Sequence, residues 1–385
     1  MVSILIALAA LAAWLYLLIF NSGFWRLTEH DSTFAPEGAS VPAGTRVIAI
    51  VPARDEAEVI ATSVASLLGQ DFSGRFEVVL VDDESGDGTA DCARAAATAA
   101  GAAERLTILR SDGPTDGWTG KIAAMHRGLT YVRGLSQQPD FVLFCDADIA
   151  FRPQVLTRLV AGATARRSVL SSLMVKLRCE SRAERWFIPA FIFFFQKLYP
   201  FRAVNDPSSK IAGAAGGVML VRPEALAAAG GLPAIRDALI DDCALGALMK
   251  KQGPIWLGLT DDVYSLRPYP KLVDIERMVT RSAYAQLNYS PSLLAGAILG
   301  MGLVYLAPPF LVVFGDSPAR EGALVAWLIG AQAYMPSLRF YGLSPMRAFA
   351  LPAVAACYTW FTAVSAFRHM RGRGGEWKGR YQAPA

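Results

Sequence analysis

Histidine and cysteine are scarce in this chain of 385 residues, with three of the first and five of the second. His30, His126 and His369 lie far apart and make no metal-ligand pattern. No Ser-His-Asp set or GxSxG elbow accompanies them, so hydrolase chemistry has little support. Cys92, Cys145, Cys179, Cys243 and Cys357 are odd in number and contain no CxxC pair. That excludes a zinc module of the usual spacing and suits a reducing compartment. Glycine-rich phosphate loops are missing as well. No GxGxxG follows the first strand-like run, and GWTGK at 117–121 lacks phosphate-loop spacing, because Thr115 stands where the first glycine belongs and Ile122 follows Lys121. Charge is sparse at 18%, and the net charge of +4 argues neither for nor against nucleic acid; no nucleic-acid partner is expected.

Apolar residues are what the chain has in excess, at 53%, concentrated at its two ends. Residues 2–20 carry no charge, and a bilayer span needs ~20 apolar residues. No Lys or Arg precedes this run and Arg26 follows it, which favours an uncleaved anchor over a cleaved signal peptide and places the following domain in the cytoplasm. Three further apolar segments occupy 292–314, 323–338 and 348–367. The expected organisation is an anchor at 1–22, a Ser/Thr/Pro/Gly-rich linker at 23–45, one catalytic domain at 46–290, membrane helices at 291–367 and a basic cytoplasmic tail at 368–385. Three spans after the domain would put that tail outside, against the positive-inside rule. A re-entrant or interfacial segment resolves the conflict, and 323–338 is the expected one.

Between the membrane segments, strand and helix patterns alternate. Strands are expected at Arg46–Val51 (ended by Pro52), Glu77–Val81, Leu106–Leu109 and Phe141–Cys145, with helices at about 59–68, 88–100 and 120–133. Nearly unbroken apolar strands imply a mostly parallel sheet covered by helices on both faces, an α/β, Rossmann-like fold. Ligands of such sheets bind beyond the carboxyl ends of the strands. Further on, 169–179 reads as a strand, Arg185–Arg202 as an aromatic helix and Gly213–Val221 as a strand. The aromatic run Trp186–Phe201 reads either as an interfacial segment that guides a lipid or as a buried core helix.

Three acidic clusters sit on this frame. Asp82 and Asp83 follow VVLV in a turn rich in Ser and Gly, a nucleotide-pocket candidate or a plain strand-ending loop. A phospho-receiver would also show paired acids there, but leaves the other clusters and the membrane segments unexplained. Asp146 and Asp148 follow FVLFC; residues i and i+2 of an extended segment face one side, so both can address one Mg2+ or Mn2+ and its phosphates. The alternative is a helix-capping acid. Asp241 and Asp242 open a helical pattern, where Asp242 is the candidate general base and helix capping the plainer account of Asp241. Lys121 is either a point charge for a diphosphate or an ordinary helix-start lysine.

Taken in order, VPARDEAEVI (51–60), VDDESGDGT (81–89), GKIAAMHRG (120–128), DAD (146–148) and IDDCAL (240–245) resemble the family 2 glycosyltransferases of GT-A fold. LRCES, IPAFIFFFQKLYPF, VNDP, AAGG and GPIWLGL are closer still to the bacterial hopene-associated glycosyltransferases, and EWKGRYQ is similar to the WKGRxY ending of membrane-bound relatives. The resemblance implies a donor-nucleotide pocket of Asp55, Glu56, Asp82 and Asp83, with Lys121 and Asp146 also at the donor. Asp146 and Asp148 would hold the metal, and Asp242 would be the base of an inverting transfer. It further implies a nucleotide-sugar donor, a UDP-sugar by expectation, a lipid acceptor such as a hopanoid, hopanoid-biosynthesis enzymes as partners, and the bacterial inner membrane with a cytoplasm-facing domain. Two alternatives remain, a silent nucleotide- or lipid-binding relative and a lipid-precursor nucleotidyltransferase. Asp55 and His126 stand where relatives often carry Asn. The [QR]xxRW element of processive members is absent, leaving only Arg281 nearby.

Overall fold

A computed structural model describes residues 1–382; the end of the expected basic tail, 383–385, lies outside the described residues. The chain divides into a sheet unit, Glu29–Arg178 with Ala203–Pro268, and a helical unit of Met1–Thr28, Cys179–Arg202 and the residues from Tyr269 onward. Two stretches of the expected 46–290 domain, 179–202 and 269–290, thus fall in the helical unit.

The sheet unit is built on eight strands: β1 (Arg46–Ala53), β2 (Arg75–Asp83), β3 (Leu106–Ser111), β4 (Phe141–Cys145), β5 (Ile149–Phe151), β6 (Leu170–Lys176), β7 (Val218–Val221) and β8 (Ile255–Ser265). Their order is β3-β2-β1-β4-β7-β6-β8-β5. Neighbours run parallel from β3 to β4 and between β6 and β8, whereas β7 opposes β4 and β6, and β5 opposes β8. The helices are α2 (Ile60–Leu68), α3 (Thr89–Ala99), α4 (Gly120–Arg133), α5 (Val155–Ala165), α8 (Pro223–Ala228) and α9 (Asp241–Lys250). The core is the continuous apolar interior expected of strands covered on both faces, with Val47, Ala49, Val51, Leu80, Leu143 and Leu220 all buried.

Pro52 does not end β1, contrary to expectation; it pairs in register with Val81, and Ala53 with Asp82. The ladder with β4 stops at Ile50, so beyond that point β1 is open on one side and loses nothing to a residue without an N–H. Asp82 and Asp83 accordingly lie inside β2 rather than after it. The strand expected at Gly213–Val221 shrinks to Val218–Val221, and Gly216-Gly217 form the turn that leads into it.

The helical unit holds α1 (Val2–Phe20), α6 (Arg182–Leu198), α10 (Leu272–Thr280), α11 (Pro291–Met301), α12 (Ala307–Phe314), α13 (Ser317–Phe340) and α14 (Leu351–Met370); α7 (Phe201–Asn205) lies where the chain passes between units. Three stretches, Val2–Phe20, Pro291–Phe314 and Pro345–Met370, are long and apolar enough to cross a membrane. The aromatic helix starts earlier than expected, on a Ser181/Glu184 capping box, and ends at Leu198.

α11 and α12 are joined by a π-helical segment, Gly302–Leu306. Pro308 has no N–H to give the Val304 carbonyl four residues earlier, and Trp14 Nε1 donates to that carbonyl instead at 3.0 Å. Trp14 is buried because Gly330 leaves room for it: a Cβ there would come within 2.6 Å of the indole. Ala7 meets Gly322 as Trp14 meets Gly330, so α1 and α13 run side by side in the same direction. α14 runs opposite to α11. Tyr289, just before α11, stacks on His369 at 4.4 Å, while Leu351 and Pro352 share one small apolar pocket with Val304, Tyr305, Pro308 and Trp327.

Candidate active site

Charged side chains in the sheet unit converge from five places in the chain. β4 delivers Asp146 and Asp148, the first turn of α4 delivers Lys121, and the first turn of α9 delivers Asp241 and Asp242. The end of β8 contributes Arg267, and the loop after β1 contributes Glu56.

Lys121 Nζ stands between two carboxylates, 2.8 Å from Asp146 Oδ1 and 3.0 Å from Asp241 Oδ2. Burial alone would favour the neutral amine, but the carboxylates of Asp146 and Asp241 hold it protonated, above the ordinary lysine range. Burial likewise pushes the Asp146 carboxyl up, with Lys121 pulling the other way. Asp241 is the first residue of α9, whose N-cap is Ile240 with no side-chain cap, so the counter-charge of Lys121, not helix capping, accounts for it.

Asp242 makes no ion pair within 4 Å among the described residues. Its Oδ2 accepts the Gly216 N–H at 2.8 Å and its Oδ1 the Cys243 N–H at 2.7 Å. Space at Gly216 is tight: a Cβ would lie 3.1 Å from Lys121 Nζ and 3.3 Å from Asp242 Oδ2. Burial, then the adjacent Asp241 carboxylate, lifts the Asp242 pKa to about 6, against the pull of Lys121 and the two N–H groups. A carboxylate in that range is ionised at neutral pH and still basic enough to take a hydroxyl proton.

Asp148 has a different partner. Its Oδ2 accepts from Arg267 Nε at 2.9 Å, and Arg267 Nη2 forks onto both oxygens of Glu56 at 2.6 and 2.9 Å. The Leu266 N–H donates to the Asp148 carbonyl at 2.8 Å, fixing the end of β8 beside the acidic turn. Arg267 was not foreseen: its partners lie 119 and 211 residues away, and SLRPYP offers only a basic residue past a strand end.

The expected nucleotide pocket is two loops tied together. Asp55 N donates to Ser85 Oγ at 3.0 Å and Asp55 Oδ1 accepts from Gly86 N at 2.9 Å. Glu56 N donates to Thr89 Oγ1 at 2.8 Å, and Ala57 N to Asp87 Oδ2 at 2.9 Å. Asp55 itself is exposed with φ of 50°, a left-handed conformation that Asp and Asn tolerate better than most residues. Asp82 and Asp83 are buried; Asp82 Oδ1 accepts from Ser85 N at 3.2 Å, and Arg54 Nη1 donates to the Asp83 carbonyl at 2.7 Å. His126 stacks on Trp118 at 4.8 Å, and burial followed by the charge of Arg133 keeps its imidazole below the ordinary histidine range.

Among the described residues no three His, Cys, Asp or Glu side chains are grouped to hold a metal. The donor set of Asp146 and Asp148 nevertheless fits Mg2+ or Mn2+, which take one or two carboxylates and complete their shell with water and phosphate oxygens.

The chain matches the model of the family described as Glycosyl transferase family 2 over residues 48–229. Its mostly parallel sheet has the GT-A fold. A mannosyltransferase of Pyrobaculum calidifontis, solved with GDP-Man and Mn2+, is 20% identical with a TM-score of 0.55, over 96% of this chain and 99% of its own. Staphylococcus aureus TarS 1–349 with UDP is 14% identical (TM-score 0.39), over 85% of this chain and 92% of its own. Glucosyl-3-phosphoglycerate synthase of Mycobacterium tuberculosis is 20% identical (TM-score 0.39), over 64% and 80%. No curated protein matches.

Proposed function

We propose that this glycosyltransferase moves a sugar from a nucleotide-sugar to a lipid hydroxyl with inversion, Asp242 serving as general base. The observation that carries the reading is the placement of Asp242. Its two oxygens are oriented by main-chain N–H groups, while the neighbouring Asp241 is neutralised by Lys121. The acceptor oxygen attacks the anomeric carbon, the bond to the diphosphate breaks on the opposite side, and the hydroxyl proton passes to Asp242. Asp146 and Asp148 would hold the divalent metal, which when bound offsets charge on the departing diphosphate. The loop carrying Asp55 and Glu56 and the end of β2 carrying Asp82 and Asp83 form the nucleotide pocket, and Lys121 keeps Asp146 and Asp241 in position. UDP-sugars are the expected donors; the GDP-Man bound to the archaeal neighbour makes guanine nucleotides the first comparison. A lipid acceptor follows from the apolar helical unit, and a hopanoid from the motif resemblance alone.

The helical unit also supports a topology. α1 has the length of a span, and α13, of 24 residues or ~36 Å, lies along it in the same direction and so crosses with it. α11 and α12 make the crossing between them. α14 starts at the level of Val304 and Tyr305, near the middle of that crossing, and Trp327 Nε1 donates to the Phe349 carbonyl at 3.1 Å just before it. On this reading the segment 345–370, though apolar enough to cross, enters from the end of α13 and returns to that side, taking the role expected of 323–338. Arg26, Arg339, Arg368, Arg371 and Arg373 then all lie on the cytoplasmic side, as the positive-inside rule requires.

Two measurements test these readings. Purified enzyme given UDP- or GDP-sugars, Mn2+ and membrane lipid should release nucleoside diphosphate and yield a glycolipid; release of pyrophosphate instead would make it a nucleotidyltransferase. In sealed cells, a cysteine placed at Ser317 should react with an impermeant maleimide and one at Arg373 should not. Labelling at Arg373 would overturn the returning helix.

A further inference from the structure

Each carboxylate of the acidic turn already has a cation on it, and the two cations are held very differently. Lys121 is tied to Asp146 and Asp241 at once, with a side chain only 17% exposed. Arg267, 35% exposed, reaches Asp148 through Nε, while its Nη2 is anchored on Glu56. Rotation of the guanidinium about the Glu56 anchor frees Asp148 without stranding the arginine, and Arg267 is the more exposed of the two cations.

We infer that Arg267 is the resident counter-cation of Asp148 and must yield that carboxylate before a metal can use it. The inference rests on the proposed metal role of Asp148. In the donor-free enzyme the guanidinium competes with a divalent cation for Asp148. A nucleoside diphosphate relieves the competition, because its phosphate oxygens offer the arginine fork an alternative partner of matching geometry. Metal binding and donor binding are thereby coupled through one side chain, which also touches Glu56 of the nucleotide-pocket loop. Arg267 acts as a positioning residue.

Mn2+ binding to the full-length enzyme, measured by electron paramagnetic resonance without nucleotide and then with UDP or GDP, reads the coupling directly. Losing one charge-assisted hydrogen bond to Asp148 should tighten nucleotide-free Mn2+ binding about tenfold in Arg267→Gln. Saturating UDP or GDP should produce a similar gain in the wild type and a much smaller one in the variant. Arg267→Lys, which keeps the charge without the fork, should fall between, and serves if the glutamine variant does not fold. Nucleotide-free Mn2+ affinity that is unchanged or weaker in both variants would overturn the inference. Asp148→Asn separates the two failures: if it leaves Mn2+ binding intact, the metal role of Asp148 is what fails.

Discussion

The sheet unit and the helical unit differ in how they bury polar groups. In the sheet unit ionised side chains are taken out of water and matched with one another, as Lys121 is with Asp146 and Asp241, and Arg267 with Asp148 and Glu56. In the helical unit single side-chain donors satisfy main-chain carbonyls, as Trp14 does for Val304, Trp327 for Phe349 and Ser365 for Thr280, beside an Arg368–Glu276 pair and a Glu184 held by main-chain N–H groups. Buried carboxylates repel one another and cost solvation, so a fold retains them where they do chemistry. A lone N–H on a carbonyl merely completes the backbone's hydrogen bonding. The difference is in keeping with the proposed reading, which puts the reaction in one unit and anchoring in the other.

The contrast is broken most severely at Asp242. Asp242→Asn should lower kcat/KM about 10²–10⁴-fold, the usual worth of a general base, with little change in melting temperature. The wild-type rate should carry the same signature. Its carboxyl pKa is raised to about 6, so the base is present above that pH and lost as pH falls through it. Activity should drop in acid about tenfold per unit, a limb absent from the residual activity of the variant. A flat acid limb in the wild type would remove Asp242 from the role.

Lys121→Met should come next, as a stability effect. It leaves Asp146 and Asp241 without their shared cation, at a cost of about 3–5 kcal/mol by denaturant or thermal unfolding at neutral pH. Asp146 has a raised pKa even with the lysine present, and without it the carboxyl rises further. The deficit should therefore shrink as pH is lowered and the carboxyls take up protons. A deficit independent of pH would mean packing, not charge, is what Lys121 supplies.

The smallest effect belongs to the helical unit. Gly330→Ala pushes a methyl to 2.6 Å from the Trp14 indole and should cost about 1–3 kcal/mol as overpacking, with no pH dependence. Trp14→Phe in the same chain should recover part of that loss, measured as a double-mutant cycle. Additivity would show that α1 and α13 are not held together at this contact.

Much of the site was legible because its residues lie at the ends of apolar strands or the starts of helices. VVLVDD, FVLFCDAD and the helix 120–133 announce themselves by pattern, and the observed β4 and α4 have the expected bounds. Pairing across the chain was not legible. Lys121 reads locally as a helix-start lysine, and only the approach of α9 reveals its second carboxylate. Asp241 reads as a cap and is a charge partner. Pro52 reads as a strand terminator and is not, since what matters is whether its missing N–H faces a neighbouring strand.

From its own pattern the sequence determined the strand-and-helix alternation, the placing of acids at strand ends and the apolar ends of the chain, because these follow from local periodicity and composition. Tertiary structure alone decided which charge neutralises which, that Gly216 shapes the hydrogen bonding of Asp242, and that α14 turns back beside α11. Those outcomes depend on distances between residues far apart in the chain, and a buried charge or an orphaned carbonyl takes whatever partner the fold brings within about 3 Å.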